Sequence, residues 1–266
     1  MENKMSDLYK RVLSSFAFVI IVLALINFSS FPFFRFIIAL VCAGLALLNC
    51  YEYLLLIGKK GIKISFPLML TAAVCLPLSF LFYSPIAPLL VALGFFLTAF
   101  LVNFQQINGA FERISFSLFG FIYAIVPIGI MYAILYSSDE GKMWLLYLLV
   151  VTKMADIGAY IGGKLLGKRK LAINISPNKT IEGGVAGFIL SFCSSLLFIG
   201  QLGLTQAIFL GIILALLSQV GDLCESLLKR DVQVKDSNKL PGLGGFLDVF
   251  DSLVFNAFFL YFYLIF

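Results

Sequence analysis

LPGLGGFLDVFDSLVFN, residues 240–256, places Asp248 and Asp251 at the start of an apolar run that continues to Phe266. A carboxylate at the centre of a bilayer costs about 2.5–3.5 kcal/mol on insertion scales. Either the run is no membrane span, or both acids sit at its edge with something to offset them. Composition settles the first question. Of the 266 residues 61% are hydrophobic and only 12% are charged, whereas a soluble domain is about half apolar and about a quarter charged. The apolar excess falls in nine runs: 12–28, 32–57, 65–83, 86–104, 116–136, 143–161, 183–200, 205–223 and 245–266. Each is near the length of about 20 residues that a helix needs to cross a bilayer. The sequence therefore predicts an all-α, polytopic helical membrane protein with about nine transmembrane helices.

The connecting segments orient it. Of the 19 basic residues, 16 fall in segments of one parity, from Lys4, Lys10 and Arg11 to Lys229, Arg230, Lys235 and Lys239. The opposite segments contain Lys142 as their one cation. By the positive-inside rule the N-terminus is cytoplasmic, and the alternation demands an odd number of spans. The first run has basic flanks but is long and lacks a small-residue cleavage site, so it reads as a retained helix rather than a signal peptide. Five cysteines (Cys42, Cys50, Cys75, Cys193, Cys224) lie scattered through or beside apolar runs without metal-finger spacing. They read as small buried hydrophobes. There is no histidine, which excludes histidine bases, histidine relays and histidine metal sites.

Residues 1–140 read as about five scaffold helices, offering lipid or homodimer contact. Residues 141–266 read as the catalytic region, because segments 164–182 and 224–244 are the longest and most charged connections. Carboxylates at or near membrane depth are functional candidates by default. Glu52 reads either as such a candidate or as a snorkelling or interhelical hydrogen-bond residue. Asp156 follows Lys153 at i,i+3, so an ion pair competes with a functional role. Asp222 and Glu225 stand i,i+3 at the end of the eighth run, and Asp248 and Asp251 stand i,i+3 at the start of the ninth. A helix dipole explains acids at a helix start but not at a helix end. Four carboxylates at one depth would repel unless a cation lay among them. The fitting ions are hard and oxygen-liganded, Mg²⁺ or Mn²⁺, with a monovalent cation left open.

Beside them runs SLLKRDVQVKDSNK, which suits a metal-bridged polyphosphate, or alternatively only marks the inner face. PGLGG would let backbone N–H groups approach an anion. Residues 162–168 match GxxxxGK, but Arg169 replaces the hydroxyl residue and no strand precedes, so a P-loop is rejected. Gly158, Gly162, Gly183 and Gly187 read instead as small-xxx-small helix contacts. In SPNKT, Ser176, Asn178 and Thr180 offer hydrogen bonds and Lys179 a point charge for a phosphate.

Two blocks resemble the CDP-diacylglycerol synthases, the phosphatidate cytidylyltransferase family. One is ADIGAYIGGKLLGKRKLAINISPNKTIEGGVAG and the other GDLCESLLKRDVQVKDSNKLPGLGGFLDVFDS, together about residues 155–252. The resemblance implies transfer from CTP to phosphatidic acid, giving CDP-diacylglycerol and pyrophosphate in phospholipid biosynthesis. It implies an enzyme of the bacterial inner membrane with its site facing the cytoplasm, and no nucleic-acid partner. Carried over, Asp222 and Asp248 are the first metal ligands, with Glu225 and Asp251 as further ligands. Lys229, Arg230 and Lys235 would hold the triphosphate. Asp156, Ser176, Asn178, Lys179, Thr180, Glu182, Ser226 and Asp236 complete the substrate-binding set. Leu243 and Val249 depart from the pattern, standing where histidine and arginine are usual, and Ile157 replaces a small hydroxyl residue. A CTP-dependent lipid-alcohol kinase is the nearest alternative. A cation-coupled transporter would need acids near mid-bilayer and inverted repeats, and the acids here cluster at one face.

Overall fold

A computed structural model describes residues 19–82, 84–234 and 245–266. Every apolar run carries helix among these residues. The helices are α1 (Val19–Phe28), α2 (Pro32–Lys59), α3 (Phe66–Ser79), α4 (Ile86–Leu101), α5 (Ala110–Gly120), α6 (Val126–Leu135), α7 (Gly141–Leu166), α8 (Ile181–Leu196), α9 (Ile199–Leu202), α10 (Leu204–Asp231) and α11 (Phe246–Ile265). Five stretches are long and apolar enough to cross a membrane: α2, α5 through α6, α7, α10 and α11. Of the other helices, α1, α3, α4 and α8 are apolar but shorter, and α9 is a single turn. Many of their leucines and phenylalanines are exposed, among them Leu89, Leu90, Leu93 and Leu97 on α4, as expected of faces solvated by lipid chains.

Two boundaries differ from the sequence reading. Residues 224–231, expected as loop, continue α10 for two more turns. ESLLKR consists of good helix formers, and Glu225 pairs with Lys229 at i,i+4, which favours helix over loop. Segment 164–182 is also more ordered than a connector. α7 runs on to Leu166, and β1 (Lys170–Ala172) and β2 (Ser176–Thr180) then form an antiparallel hairpin pairing Lys170 with Thr180 and Ala172 with Ser176. The cysteine reading needs correction too. Cys50 is buried, but Cys75 and Cys193 are exposed on apolar helices, where a thiol tolerates a lipid-facing position as a small hydrophobe.

The described residues form two compact units. The first holds the helices up to Tyr136 together with the start of α11, as far as Val249. In it α2 packs on α3, α5 and α6. Between α5 and α6 the backbone widens into one π-turn, Phe121–Ile125. Pro127 follows, which has no N–H and whose ring would crowd the carbonyl four residues back; the wide turn absorbs that misfit. Tyr53 lies against this segment and its hydroxyl donates to the Phe116 carbonyl at 2.7 Å. A Cβ on Gly120 would come within 2.2 Å of the Tyr53 ring.

The second unit runs from Ser137 and includes α11 from Phe250 onward. α8 lies along α7, and α10 packs on both. The glycines set how closely α7 and α8 approach. A Cβ on Gly162 would meet the Ala186 Cβ at 2.2 Å, and one on Gly187 the Ala155 carbonyl at 2.7 Å. These are the small-residue contacts expected from the sequence. Buried hydroxyls add interhelical bonds: Ser191 donates to the Val151 carbonyl at 2.9 Å and Ser195 to that of Ala207 at 2.6 Å. Tyr147 lies 2.7 Å from the Ser195 hydroxyl. In a lipid-solvated bundle such contacts hold helices together where hydrophobic burial cannot.

Candidate active site

The hairpin is fastened at both ends. At its base Thr180 is the N-cap of α8, its hydroxyl accepting the Gly183 N–H at 3.1 Å. Glu182, just before the apolar run 183–200, accepts the N–H of Lys168 at 3.0 Å and of Arg169 at 3.1 Å, and also pairs with the Arg169 guanidinium. The Lys168 N–H, with its own and that of Arg169, holds the Glu182 carboxyl down at about 2. At the turn, Arg230 Nε donates to the Ile175 carbonyl at 2.9 Å and Nη1 to that of Val234 at 3.1 Å. Thr180, Glu182 and Arg230, all expected at substrate, thus shape the loop. Ser176 is half-buried and Asn178 exposed on the same strand face, while Lys179 points the other way, as strand alternation requires.

Lys179 reaches α10. Its ammonium lies 2.7 Å from Asp222 Oδ1, so the two blocks singled out in the sequence meet through opposite charges. One turn on, Glu225 is fully buried and paired with Lys229; Ser226 is buried beside it. Gly221 allows α10 to approach α11 closely, since a Cβ there would lie 2.5 Å from the Asp251 carbonyl. Asp251 is 7% exposed, and its carboxylate is within electrostatic reach of Asp222, Lys153 and Asp156. On α7, Lys153 binds Asp156 at 2.9 Å and donates to Ser252 Oγ at 3.2 Å, while Ser252 donates to Asp156 at 3.0 Å. The Lys153–Asp156 pair is therefore formed, with a serine as third member. Asn256 extends the polar strip by donating to Thr152 at 2.7 Å.

In the first unit, Asp248 accepts the Gly245 N–H at 2.9 Å at the start of α11. Glu52 accepts the N–H groups of Phe246 and Leu247, each at 2.9 Å. The interhelical hydrogen-bond reading of Glu52 is thus the one observed. Val249 is half-buried on α11 and Ile157 exposed on α7. Lys235, Asp236 and Leu243 lie outside the described residues.

The expected four-carboxylate cluster is not assembled as such. Among the described residues no three Asp, Glu, Cys or His side chains converge at metal-ligand spacing. Two of the four acids find a lysine instead, Asp222 with Lys179 and Glu225 with Lys229, while Asp248 and Asp251 accept backbone N–H groups of Gly245 and Ser252. The donor set still suits a hard cation. Asp222 directly follows Gly221, where α10 approaches the Asp251 backbone, and no histidine is present. Ser252, Asn256 and Thr152 were missed from the sequence. Only the position of Ser252 directly after Asp251 hinted at it.

Carboxylates and ammonium groups thus stand in pairs near the ends of apolar helices, the kinds of charge that phosphoryl- and nucleotidyl-transfer proteins bring to polyphosphates. The chain belongs to the cytidylyltransferase family, which it matches over residues 9–266. It is 32% identical over 268 residues to the phosphatidate cytidylyltransferase of Bacillus subtilis, covering 98% of each chain. To that of Chlamydia pneumoniae it is 31% identical over 280 residues, covering 94% of this chain and 90% of the relative. A shorter match, 47% identical over 124 residues, links it to the Helicobacter pylori protein of the same name, covering 45% of this chain and 46% of that one.

Proposed function

We propose that this protein transfers the cytidylyl group of CTP to phosphatidic acid, forming CDP-diacylglycerol and pyrophosphate. An oxygen of the lipid phosphate attacks the α-phosphorus of CTP, and the bond from that phosphorus to the oxygen bridging to the β-phosphate breaks. The nucleophile is already anionic, so no strong general base is required, in keeping with a chain that has no histidine. Catalysis then rests on in-line positioning and charge neutralisation. The observation that supports this reading is the Lys179–Asp222 contact at 2.7 Å: a cation suited to a phosphate lies against a carboxylate suited to a metal. Lys179 would exchange Asp222 for a phosphate oxygen, and Lys229, with Arg230 bracing the hairpin, would counter the charge on the leaving pyrophosphate.

Asp222 and Asp251 would hold a divalent ion, Mg²⁺ or Mn²⁺. Asp248 joins them on the sequence argument, one turn before Asp251 on the same helix. When bound, that ion would withdraw charge from the phosphate oxygens. Ser252 and Lys153 hold Asp156 as a neighbouring anion. We further propose nine spans with a cytoplasmic N-terminus, placing the hairpin and the end of α10 on the cytoplasmic face of a bacterial inner membrane.

Incubating purified protein with phosphatidic acid, Mg²⁺ and CTP labelled at the α- or γ-phosphate tests this directly. Label from the α position in the lipid, with pyrophosphate release, is the expected result. Label from the γ position would instead show a CTP-dependent lipid kinase. No lipid product, or unchanged activity in Asp248→Ala, would sink the proposal.

A further inference from the structure

The first turn of α11 carries Asp248, and two of its N–H groups find their acceptor far away in sequence. The preceding residue is Gly245, which has no side chain to accept the orphan N–H groups that every helix start exposes. The acceptor comes from 194 positions away in sequence, in the last third of α2. Glu52 Oε1 accepts the Phe246 N–H and Oε2 the Leu247 N–H, both at 2.9 Å. The side chain is only 2% exposed. A buried carboxylate is costly, but this one faces the positive end of a helix and two of its N–H groups. Two bonds from one rigid carboxylate to successive amides fix both the height and the rotation of that turn. The turn holds Asp248, whose Oδ2 accepts the Gly245 N–H at 2.9 Å.

We propose that Glu52 is a positioning residue of the divalent-ion site, acting through the first turn of α11 on the direction of the Asp248 carboxylate. This rests on the reading above that Asp248 is a metal ligand. Groups that orient ligands without touching the metal are worth about 10–100-fold in metal affinity. Glu52→Gln isolates the effect: it keeps the volume but turns one acceptor into an NH₂ donor, which faces an N–H group and cannot bind it.

The test is Mn²⁺ titration of the purified full-length protein without nucleotide, reading free Mn²⁺ by its paramagnetic resonance. Amide exchange at Phe246 and Leu247 is followed in parallel. Expected in Glu52→Gln are about tenfold weaker Mn²⁺ binding and faster exchange at those two amides. A merely structural glutamate would lower the melting temperature while leaving the Mn²⁺ affinity of the folded protein unchanged. Wild-type Mn²⁺ affinity in folded Glu52→Gln therefore overturns the positioning role and leaves the metal reading standing. A wild-type protein that binds no Mn²⁺ overturns both. Should Glu52→Gln not fold, Glu52→Asp keeps both acceptors on a shorter arm. It is expected to weaken Mn²⁺ several-fold, and wild-type affinity there overturns the proposal equally.

Discussion

Lys179 and Asp222 are the pair in the second unit on which the proposed reaction leans most. Their side chains are 23% and 39% exposed, so water screens the pair and its share in stability is small. Its value would be functional. In Lys179→Ala, Asp222 would stand beside Asp251 with less cationic offset, and the phosphate would lose a direct partner. Steady-state turnover should fall about 100-fold, the usual cost of one aligned charge stabiliser, while melting temperature shifts little. Lys179→Arg should recover only part of the rate, because a planar guanidinium does not replace a compact ammonium. Full activity in Lys179→Ala would remove this residue from the site. In the sequence SPNKT reads as a phosphate contact, a lysine in a turn rich in hydrogen-bonding groups; in the structure that lysine meets Asp222. The Glu52 contact was not legible. A carboxylate within an apolar run announces that it needs a partner, but no local pattern says that the partner is backbone 194 positions away.

At the scale of elements, the hairpin and the α7–α8 contact were legible to different degrees. Gly158, Gly162, Gly183 and Gly187 declared a close helix pair through their four-residue spacing. Gly162→Ala should force the helices apart, since its Cβ would come 2.2 Å from that of Ala186. Overpacking of this kind costs about 1–3 kcal/mol. Thermal unfolding in detergent should show the loss, and adding Ala186→Gly should restore most of it; no recovery in the double variant would mean the contact is not the cause. The hairpin could not be read in advance, because KLAINISPNKT lacks clean alternation and is pinned by groups outside its strands. One of these, Glu182, gives a pH signature. Its carboxyl is held at about 2, below the ordinary 4.5, chiefly by the Lys168 N–H. A depressed carboxyl stabilises the folded state fully above its unfolded value, and that contribution is lost as pH falls through the folded one. The stability gap between wild type and Glu182→Gln should thus stay level above about pH 4.5 and narrow steadily toward pH 3. A gap independent of pH in that window would show that the carboxylate does not hold the loop.

For the whole molecule, the bilayer made the helices legible and left their number of crossings to be tested. Apolar runs of about 20 residues appear because each lipid-exposed backbone group must be satisfied within its own helix. Each run does carry helix, yet among the described residues only five stretches have the length and composition to span unaided. The shorter ones, such as α4 with 16 residues and α8 with 16 residues, would cover about 24 Å at 1.5 Å per residue. They fall short of a hydrocarbon core of about 30 Å, a mismatch that local thinning and flanking polar residues accommodate at modest cost. Under the proposed nine spans α8 crosses all the same, and two contacts support that arrangement. Were α8 to return without crossing, Arg169 and Lys179 would lie on the face opposite Lys229 and Arg230 if α10 still spans. The contacts Lys179–Asp222 and Arg230–Ile175 require one face. Reporter fusions decide between these arrangements. Green fluorescent protein should fluoresce at the N-terminus, and alkaline phosphatase should be active at the C-terminus, because nine crossings put the ends on opposite sides. A cysteine at exposed Asn178, in a background lacking the five native cysteines, should label only from the cytoplasmic side. Cytoplasmic reporters at both ends would mean an even number of crossings, and one of the short helices would then have to be re-entrant.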